Sequence, residues 1–165
     1  MFVARQPIFD RSLQVFAYEL LFRSSLENSF DGTEAKVATA KVISSLCSPG
    51  MHTLLDGKSA FINFSGSLLL NRSALSLPPE TTVIEVLETV VPGPEIVEAC
   101  EDLHKKGYRI ALDDFIDTRA PHPLAHVADF IKVDLRASNV AEQKKIISRY
   151  GQQVRLLAEK VETRE

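Results

Sequence analysis

Five short apolar runs in this chain each end in an acidic or amide residue, and they follow one another at nearly even spacing. The closing residues are Asn63, Glu85, Asp113, Asp134 and Glu159, and the steps between them are 22, 28, 21 and 25 residues. Each step has the length of one strand, one helix and two short loops. The pattern therefore predicts a parallel β/α array, in which the carboxyl ends of the strands meet at one face.

The closing residues would converge at that face. Several carboxylates at one rim repel one another unless a positive charge lies among them. A divalent cation is the usual source of that charge in a site built from oxygen ligands. The spacing thus predicts a metal-dependent site on a barrel-like α/β fold.

The composition is typical of one globular domain that covers residues 1–165. Hydrophobic residues make up 45% of the chain and the formal net charge is −3, which allows a sizeable core and gives no broad basic surface for duplex nucleic acid. Cys47 and Cys100 form no CxxC pattern, so we expect small buried side chains in a reducing compartment. No apolar stretch approaches the roughly 20 residues that span a bilayer, and the amino terminus lacks the features of a secretion signal. We expect a cytoplasmic protein that does not contact the membrane.

Hydrophobic periodicity assigns the elements of the array. Strands are predicted at residues 2–9, 14–23, 60–64, 82–87, 109–115, 130–135 and 154–161. Amphipathic helices are predicted at residues 34–47, from Ser65 or Ser67 to Leu75, at residues 95–106, and from Ser138 or Asn139 to Tyr150. Gly107 and Gly151 end the last two helices, and residues 116–126 are expected to form an irregular loop or a short helix.

The array is too short to close a barrel. A closed eight-stranded barrel takes about 250 residues, whereas about five βα units follow the opening hairpin here. The sequence stops where a further helix would start, so we expect a TIM-like (β/α) barrel that is incomplete at its C-terminus, as in a truncated gene product. The last strand would then have an open edge that invites a second copy to pair with it, giving a homodimer.

Six motifs, in order, resemble those of one family. Residues 18–23 (Tyr-Glu-Leu-Leu-Phe-Arg) resemble the Glu-Ala-Leu-Leu-Arg signature of the EAL domain, a bacterial cyclic di-GMP phosphodiesterase, and residues 62–65 (Ile-Asn-Phe-Ser) resemble its Asn-Leu-Ser motif. Residues 85–88 (Glu-Val-Leu-Glu), 113–115 (Asp-Asp-Phe) and 132–134 (Lys-Val-Asp) are similar to Glu-x-Thr-Glu, Asp-Asp-Phe-Gly and Lys-x-Asp. Residues 158–163 (Ala-Glu-Lys-Val-Glu-Thr) look like Ala-Glu-Gly-Val-Glu-Thr. The opening residues 4–9 and the Leu-Leu-Phe variant resemble the branch in which a divergent EAL domain precedes an HDOD domain, a helical signalling module.

The resemblance implies a role for each matching residue, with cyclic di-GMP as the ligand and one or two Mg²⁺ or Mn²⁺ ions as cofactors. The first ion would be bound by Glu19, Asn63, Glu85 and Asp113. Asp114 and Asp134 would serve a second ion, near Glu159. The catalytic residues would be Lys132, which holds and helps to deprotonate the attacking water, and Glu159. Arg23 would contact a substrate phosphate, and Glu88 and Glu162 would support the loop around the metals.

The chain also departs from the family pattern. Leu87 replaces the Thr between the paired glutamates, Ile116 replaces the Gly after Asp-Asp-Phe, and Lys160 stands where Gly is usual. Residues 117–123 replace a Gly-rich loop that in the family couples substrate binding to metal placement and dimerisation. The final Gln-Gly-Tyr strand of the family is absent. We therefore expect a nearly complete set of metal ligands beside an incomplete nucleotide pocket.

Each candidate residue also has a plain structural explanation. Polar strand ends often cap the next helix, and adjacent residues such as Asp113 and Asp114 face opposite sides of a strand. Lys132 lies in an apolar run and needs a partner, Asp113 or Asp134, and that ion pair could be purely structural. Glu159 and Glu162 could be charges on the rim.

The histidines offer an alternative metal site. His122 and His126 stand four residues apart near Asp129 and could mimic a zinc face, but the flanking prolines favour solvent-exposed side chains. His52 and His104 are expected at the surface.

Two functions follow from the sequence. The first is metal-dependent hydrolysis of cyclic di-GMP to pGpG, with weak or no turnover expected from this length of chain. The alternative is a catalytically inactive regulatory module that acts through nucleotide binding or protein contacts. The retained ligands favour the enzyme, whereas the changed loop at residues 116–126 and the missing strand favour the regulator.

Overall fold

One seven-stranded sheet organises the part of the chain that the computed structural model describes, residues 2–23, 55–116 and 121–161. Its strands lie side by side in sequence order: β1 (Phe2–Phe9), β2 (Val15–Arg23), β3 (Ser59–Phe64), β4 (Thr82–Val86), β5 (Arg109–Leu112), β6 (Phe130–Asp134) and β7 (Arg155–Glu159). β1 and β2 form an antiparallel hairpin, and every later pair is parallel. All seven predicted strands are present, and the largest difference is that the strand expected at residues 109–115 ends at Leu112.

The helices connect consecutive parallel strands along the chain, as the alternating pattern predicts. They are α1 (Gly66–Leu70), a 3₁₀ turn (Ser73–Ser76), α2 (Pro94–Lys105) and α3 (Val140–Tyr150). The expectation that the first of these continues to Leu75 is wrong, because Arg72 adopts a left-handed φ of 57° that no right-handed helix passes through. The helix predicted at residues 34–47 lies outside the described residues.

The ends of α2 and α3 follow their capping residues. Pro94 occupies the first turn of α2, where its missing N–H costs nothing, and Gly107 turns the chain after the helix with a φ of 91°. Asn139 caps α3 in a reciprocal capping box with Glu142, and Gly151 is its C-cap. No helix within the described ranges is long and apolar enough to cross a membrane.

The sheet curls strongly. β2 and β6 are four strands apart, which in a flat sheet would separate them by roughly 19 Å. The ring centroids of Phe16 on β2 and Phe130 on β6 nevertheless lie 5.9 Å apart. The fold is therefore α/β with an incomplete, TIM-like barrel, as predicted, and β1 and β7 each pair with one neighbouring strand among the described residues.

The concave side of the curl has an apolar layer below a polar one. The apolar layer is a buried cluster that contains one residue from each of five strands: Ala17, Phe61, Val83, Ala111 and Phe130. Two positions further along the chain are Glu19, Asn63, Glu85 and Lys132 on the same strands, and Asp113 directly after the end of β5. Because side chains two apart share one face of a strand, the apolar layer forms a floor beneath the polar residues.

The convex side packs against the helices. Ile62, Ile84 and Ile110 from central strands join Ile96, Cys100 and Leu103 of α2 in the larger core. Cys100 is fully buried, as predicted, and burial raises the pKa of its thiol to about 11. Cys47 lies outside the described residues.

Candidate metal centre

Lys132 lies at the centre of the polar layer, with its side chain 4% exposed. Its Nζ donates to Glu19 Oε2 at 3.3 Å and to Asp113 Oδ1 at 2.9 Å. It also lies 2.7 Å from Glu159 Oε1 and contacts the carboxylate of Glu85. We call Lys132 and these four carboxylates the inner cluster. Lys132 thus has Asp113 as a partner, as expected, but Asp134 lies elsewhere.

The inner cluster holds more acceptors than its single ammonium can serve. An ammonium has three N–H donors, and four carboxylates surround this one. Among the described residues, Glu85 Oε2 and Asn63 Oδ1 are buried and lack a hydrogen-bond partner, and these two residues are neighbours in register on β3 and β4. Buried acceptors without partners are costly, so the arrangement fits a further cation bound by oxygen ligands.

The electrostatics of the inner cluster support this reading. Burial raises the pKa of Glu85 well above its ordinary range, against the lowering effect of Lys132. Burial also raises the pKa of Glu159. Burial alone would lower the pKa of Lys132, but the surrounding carboxylates together raise it. Burial therefore disfavours the charged forms of Glu85 and Glu159, whose carboxylates share this space with Glu19 and Asp113.

Asp113 and Asp114 lie close together, although adjacent residues within a strand face opposite sides. β5 ends at Leu112, and Asp114 has a φ of 38°, so the chain turns before the alternation of a strand applies. Asp113, Asp114 and Glu159 each offer a carboxylate oxygen within 4.8 Å of the others. Groups with this spacing can hold a metal ion.

Asp134 belongs to a second group at the outer rim. Its Oδ1 accepts from the backbone N–H groups of Arg136, at 2.7 Å, and Ala137, at 3.1 Å. Its Oδ2 contacts Lys160 Nζ, which also lies 3.2 Å from Asp114 Oδ1. We call Asp114, Asp134 and Lys160 the outer group. The sequence shows Lys160 in a position where the EAL family usually has Gly. A position at the end of a strand does not determine where a side chain points, so the ion pairs of Lys160 were not predicted.

The remaining predicted site residues are less central. Glu88 is exposed and lines a cleft of about 180 Å³ together with Asp113 and Asp114. A larger cleft of about 700 Å³ lies between β1 and the end of β7 and opens onto the inner cluster. The side chain of Arg23 and all of Glu162 lie outside the described residues, as does His52.

Within residues 121–161, His122, His126 and Asp129 are not grouped as metal ligands. His126 is exposed, as predicted, and its Nε2 lies 3.0 Å from Glu101 Oε1. The expectation of exposure is wrong for His122, which is half-buried against Phe115. This burial lowers the pKa of its imidazole. Asp129 instead accepts from the backbone N–H of Ile110 at 2.8 Å. His104 is at the surface, as predicted.

Two curated proteins are similar to this chain in sequence, although no protein-family model matches it. The uncharacterized protein YuxH of Bacillus subtilis is 40% identical over 171 residues, which cover 99% of this chain and 42% of that protein. The cyclic di-GMP phosphodiesterase CdgJ of Vibrio cholerae is 34% identical over 167 residues, covering 98% of this chain and 39% of that protein. The chain therefore spans about two fifths of the length of these curated relatives.

A solved structure shares the fold. The EAL-domain protein YkuI of Bacillus subtilis, in complex with its substrate c-di-GMP and calcium, superposes with a TM-score of 0.66. The match covers 98% of this chain and 48% of that chain at 18% sequence identity, which establishes likeness of fold. The curled β/α sheet is therefore the fold of EAL-domain structures, and the chain is also similar in sequence to a cyclic di-GMP phosphodiesterase.

Proposed function

We propose that this chain is the EAL portion of a bacterial cyclic di-GMP signalling protein, and that its inner cluster is a Mg²⁺ or Mn²⁺ centre for hydrolysis of cyclic di-GMP to pGpG. One observation carries the proposal: four carboxylates face a single buried ammonium, while Glu85 Oε2 and Asn63 Oδ1 have no partner among the described residues. The relatives support the substrate, since CdgJ is a cyclic di-GMP phosphodiesterase and YkuI binds c-di-GMP with calcium.

The ligands proposed for the ion are those of the first predicted set: Glu19, Asn63, Glu85 and Asp113. All four carry side-chain oxygen atoms, which are the ligands that a hard divalent ion prefers. A bound ion of this kind lowers the pKa of a water and stabilises the charge of a phosphodiester undergoing in-line attack.

Lys132 and Glu159 would divide the remaining work. Lys132 Nζ donates hydrogen bonds to Glu19 and Asp113, so its ammonium would orient a water by donating to it. Glu159 Oε1 lies 2.7 Å from Lys132 Nζ, which would place its carboxylate beside that water as the proton acceptor. Arg23 and the loop-supporting Glu88 and Glu162 keep the roles that the family resemblance implies.

The second candidate function is a regulatory module that binds nucleotide or protein without turnover. Ile116, which stands where the family has Gly, is 77% exposed two residues after Asp114. Residues 117–123, which replace the Gly-rich loop of the family, would contact the substrate differently from that loop. This observation favours binding without efficient catalysis.

The partners of the whole protein form part of the same proposal. The resemblance to one branch of the family supports a C-terminal HDOD domain. A homodimer could form through β7, which pairs with β6 only among the described residues. We further propose that residues 1–165 act as one domain in the cytoplasm.

The test is calorimetric titration of cyclic di-GMP into the chain with Ca²⁺ present, followed by product analysis with Mn²⁺. Binding with pGpG formation, lost in Glu85→Gln and kept in the exposed-site control Glu142→Gln, is the expected result for the enzyme. Binding without product would support the regulatory module. Absence of binding in the unmodified chain would contradict the enzyme and the nucleotide-binding form of the regulatory module, and would leave only a module that binds protein.

A further inference from the structure

Lys160 lies at the rim of the site and has no role in the proposed function. It follows Glu159 at the end of β7, in the position where similar EAL sequences have Gly. Its φ is 54°, in the left-handed region that costs a side chain conformational energy and costs glycine little. A lysine at this position thus retains a backbone shape suited to glycine and adds an ammonium to the rim.

That ammonium lies between the two carboxylates that the family resemblance gives to a second metal ion. Lys160 Nζ is 3.2 Å from Asp114 Oδ1 and 3.4 Å from Asp114 Oδ2, and it contacts Asp134 Oδ2. Asp134 cannot offer its other oxygen freely, because Oδ1 accepts from the N–H groups of Arg136 and Ala137. Both carboxylates are therefore engaged, and their set does not fit a second divalent ion beside Lys160.

The charge balance of the outer group agrees with this contact. Hydrogen bonding from Lys160 is the main cause of the lowered pKa of Asp134, and the same bond raises the pKa of Lys160. Two carboxylates and one ammonium leave a single negative charge at a rim that solvent reaches, since the Lys160 side chain is 48% exposed. Because Lys160 is tethered to the rim by the backbone, its ammonium competes with a free ion at a high effective concentration.

We infer that the ammonium of Lys160 takes the place of a second divalent cation, so that this chain binds one such ion, at the inner cluster. This inference rests on the proposed function, which supplies the first ion. It identifies Lys160 as a residue that determines the metal stoichiometry of the rim.

The test counts bound Mn²⁺ by electron paramagnetic resonance of the free ion, alongside calorimetric titration, on the whole 165-residue chain. The expected stoichiometry is one Mn²⁺ in the unmodified chain and two in Lys160→Gly. Lys160→Met, which keeps a long side chain and removes only the charge, should also gain a second ion. Lys160→Arg should keep one. Lys58→Met, at an exposed lysine before β3, is the matched control and should also keep one.

Two Mn²⁺ ions in the unmodified chain would overturn the inference and leave the proposed metal centre intact. One ion in the unmodified chain and still one in both Lys160→Gly and Lys160→Met would also overturn it, since Lys160 would then exclude nothing. No bound ion in the unmodified chain or in Lys160→Gly would contradict the proposed function itself. Circular dichroism on each variant establishes that the counts come from folded protein.

Discussion

The inner cluster and the outer group use the same chemistry, carboxylates around a lysine, in two different settings. Lys132 is 4% exposed and faces four carboxylates, whereas Lys160 is 48% exposed and faces two. In the inner cluster, negative charge exceeds positive charge and two buried oxygens lack partners among the described residues. In the outer group, the lysine nearly balances its neighbours.

The difference shows how burial decides what a group of charges can do. Surface ion pairs contribute little to stability because water screens them and the side chains lose entropy. Buried charges interact strongly, and they cost a great deal when a partner is missing. We therefore assign ion binding to the inner cluster and charge compensation to the outer group, and the predictions below separate the two.

Removing the inner lysine should have the largest effect. Lys132→Met leaves Glu85 buried without its main partner and brings four carboxylates together with no cation. Breaking a buried ion pair in this way costs about 3–5 kcal/mol of unfolding free energy. Urea denaturation in EDTA would measure the loss, with Lys144→Met on the exposed face of α3 as the control. A loss no larger than that of the control would mean that the cluster is effectively solvated.

The pH dependence of stability should run in opposite directions in the two regions. Burial raises the pKa of Glu85, so the folded chain holds a proton that the unfolded chain releases, and the free energy of unfolding falls as pH rises above the ordinary value of 4.5. The hydrogen bond from Lys160 lowers the pKa of Asp134, so its contribution is present above 3.8 and is lost as pH falls below that value.

Urea unfolding without metal from pH 3 to 8 would test both signs. Glu85→Gln should reduce the fall in the free energy of unfolding above pH 4.5 and leave the profile below pH 3.8 unchanged. Asp134→Asn should reduce the loss of stability below pH 3.8 and leave the profile above pH 4.5 unchanged. If both variants altered the same side of the profile, the two regions would be titrating as one unit, and the comparison would fail.

The smallest effect is expected from Lys160→Gly. The change removes an exposed ion pair, which stabilises little, and it also relieves a left-handed backbone conformation. These contributions oppose each other, so the free energy of unfolding in EDTA should stay close to that of the unmodified chain. A loss comparable to that of Lys132→Met would show that the outer group is structurally as important as the inner one.

The fold follows from local patterns that the sequence displays openly. Alternating apolar runs and amphipathic segments predict all seven strands, and the reciprocal capping box of Asn139 and Glu142 marks the start of α3. The helix expected to reach Leu75 is shorter, because a left-handed residue at Arg72 is a local backbone choice that periodicity does not encode.

The site was predictable only in part. A buried lysine demands a partner, so an ion pair of Lys132 with Asp113 could be expected, and the strand spacing already brought the acidic residues to one face. The paths of side chains beyond the strand ends could not be foreseen. The backbone turn at Asp114 brings its carboxylate close to that of Asp113, and the side chain of Lys160 contacts Asp134. Both arrangements depend on a positive φ, at Asp114 and at Lys160 respectively.

The most direct test of the account is the Mn²⁺-induced change in thermal midpoint of the unmodified chain, Glu85→Gln and Asp134→Asn. An ion that binds only the folded state stabilises by about 2.7 kcal/mol at a hundredfold excess over its Kd. For a chain of this size that corresponds to a rise of roughly 5–10 °C. The account predicts this rise in the unmodified chain and in Asp134→Asn, and its loss in Glu85→Gln. An equal rise in Glu85→Gln, or its loss in Asp134→Asn alone, would contradict the claim that the inner cluster is the metal centre.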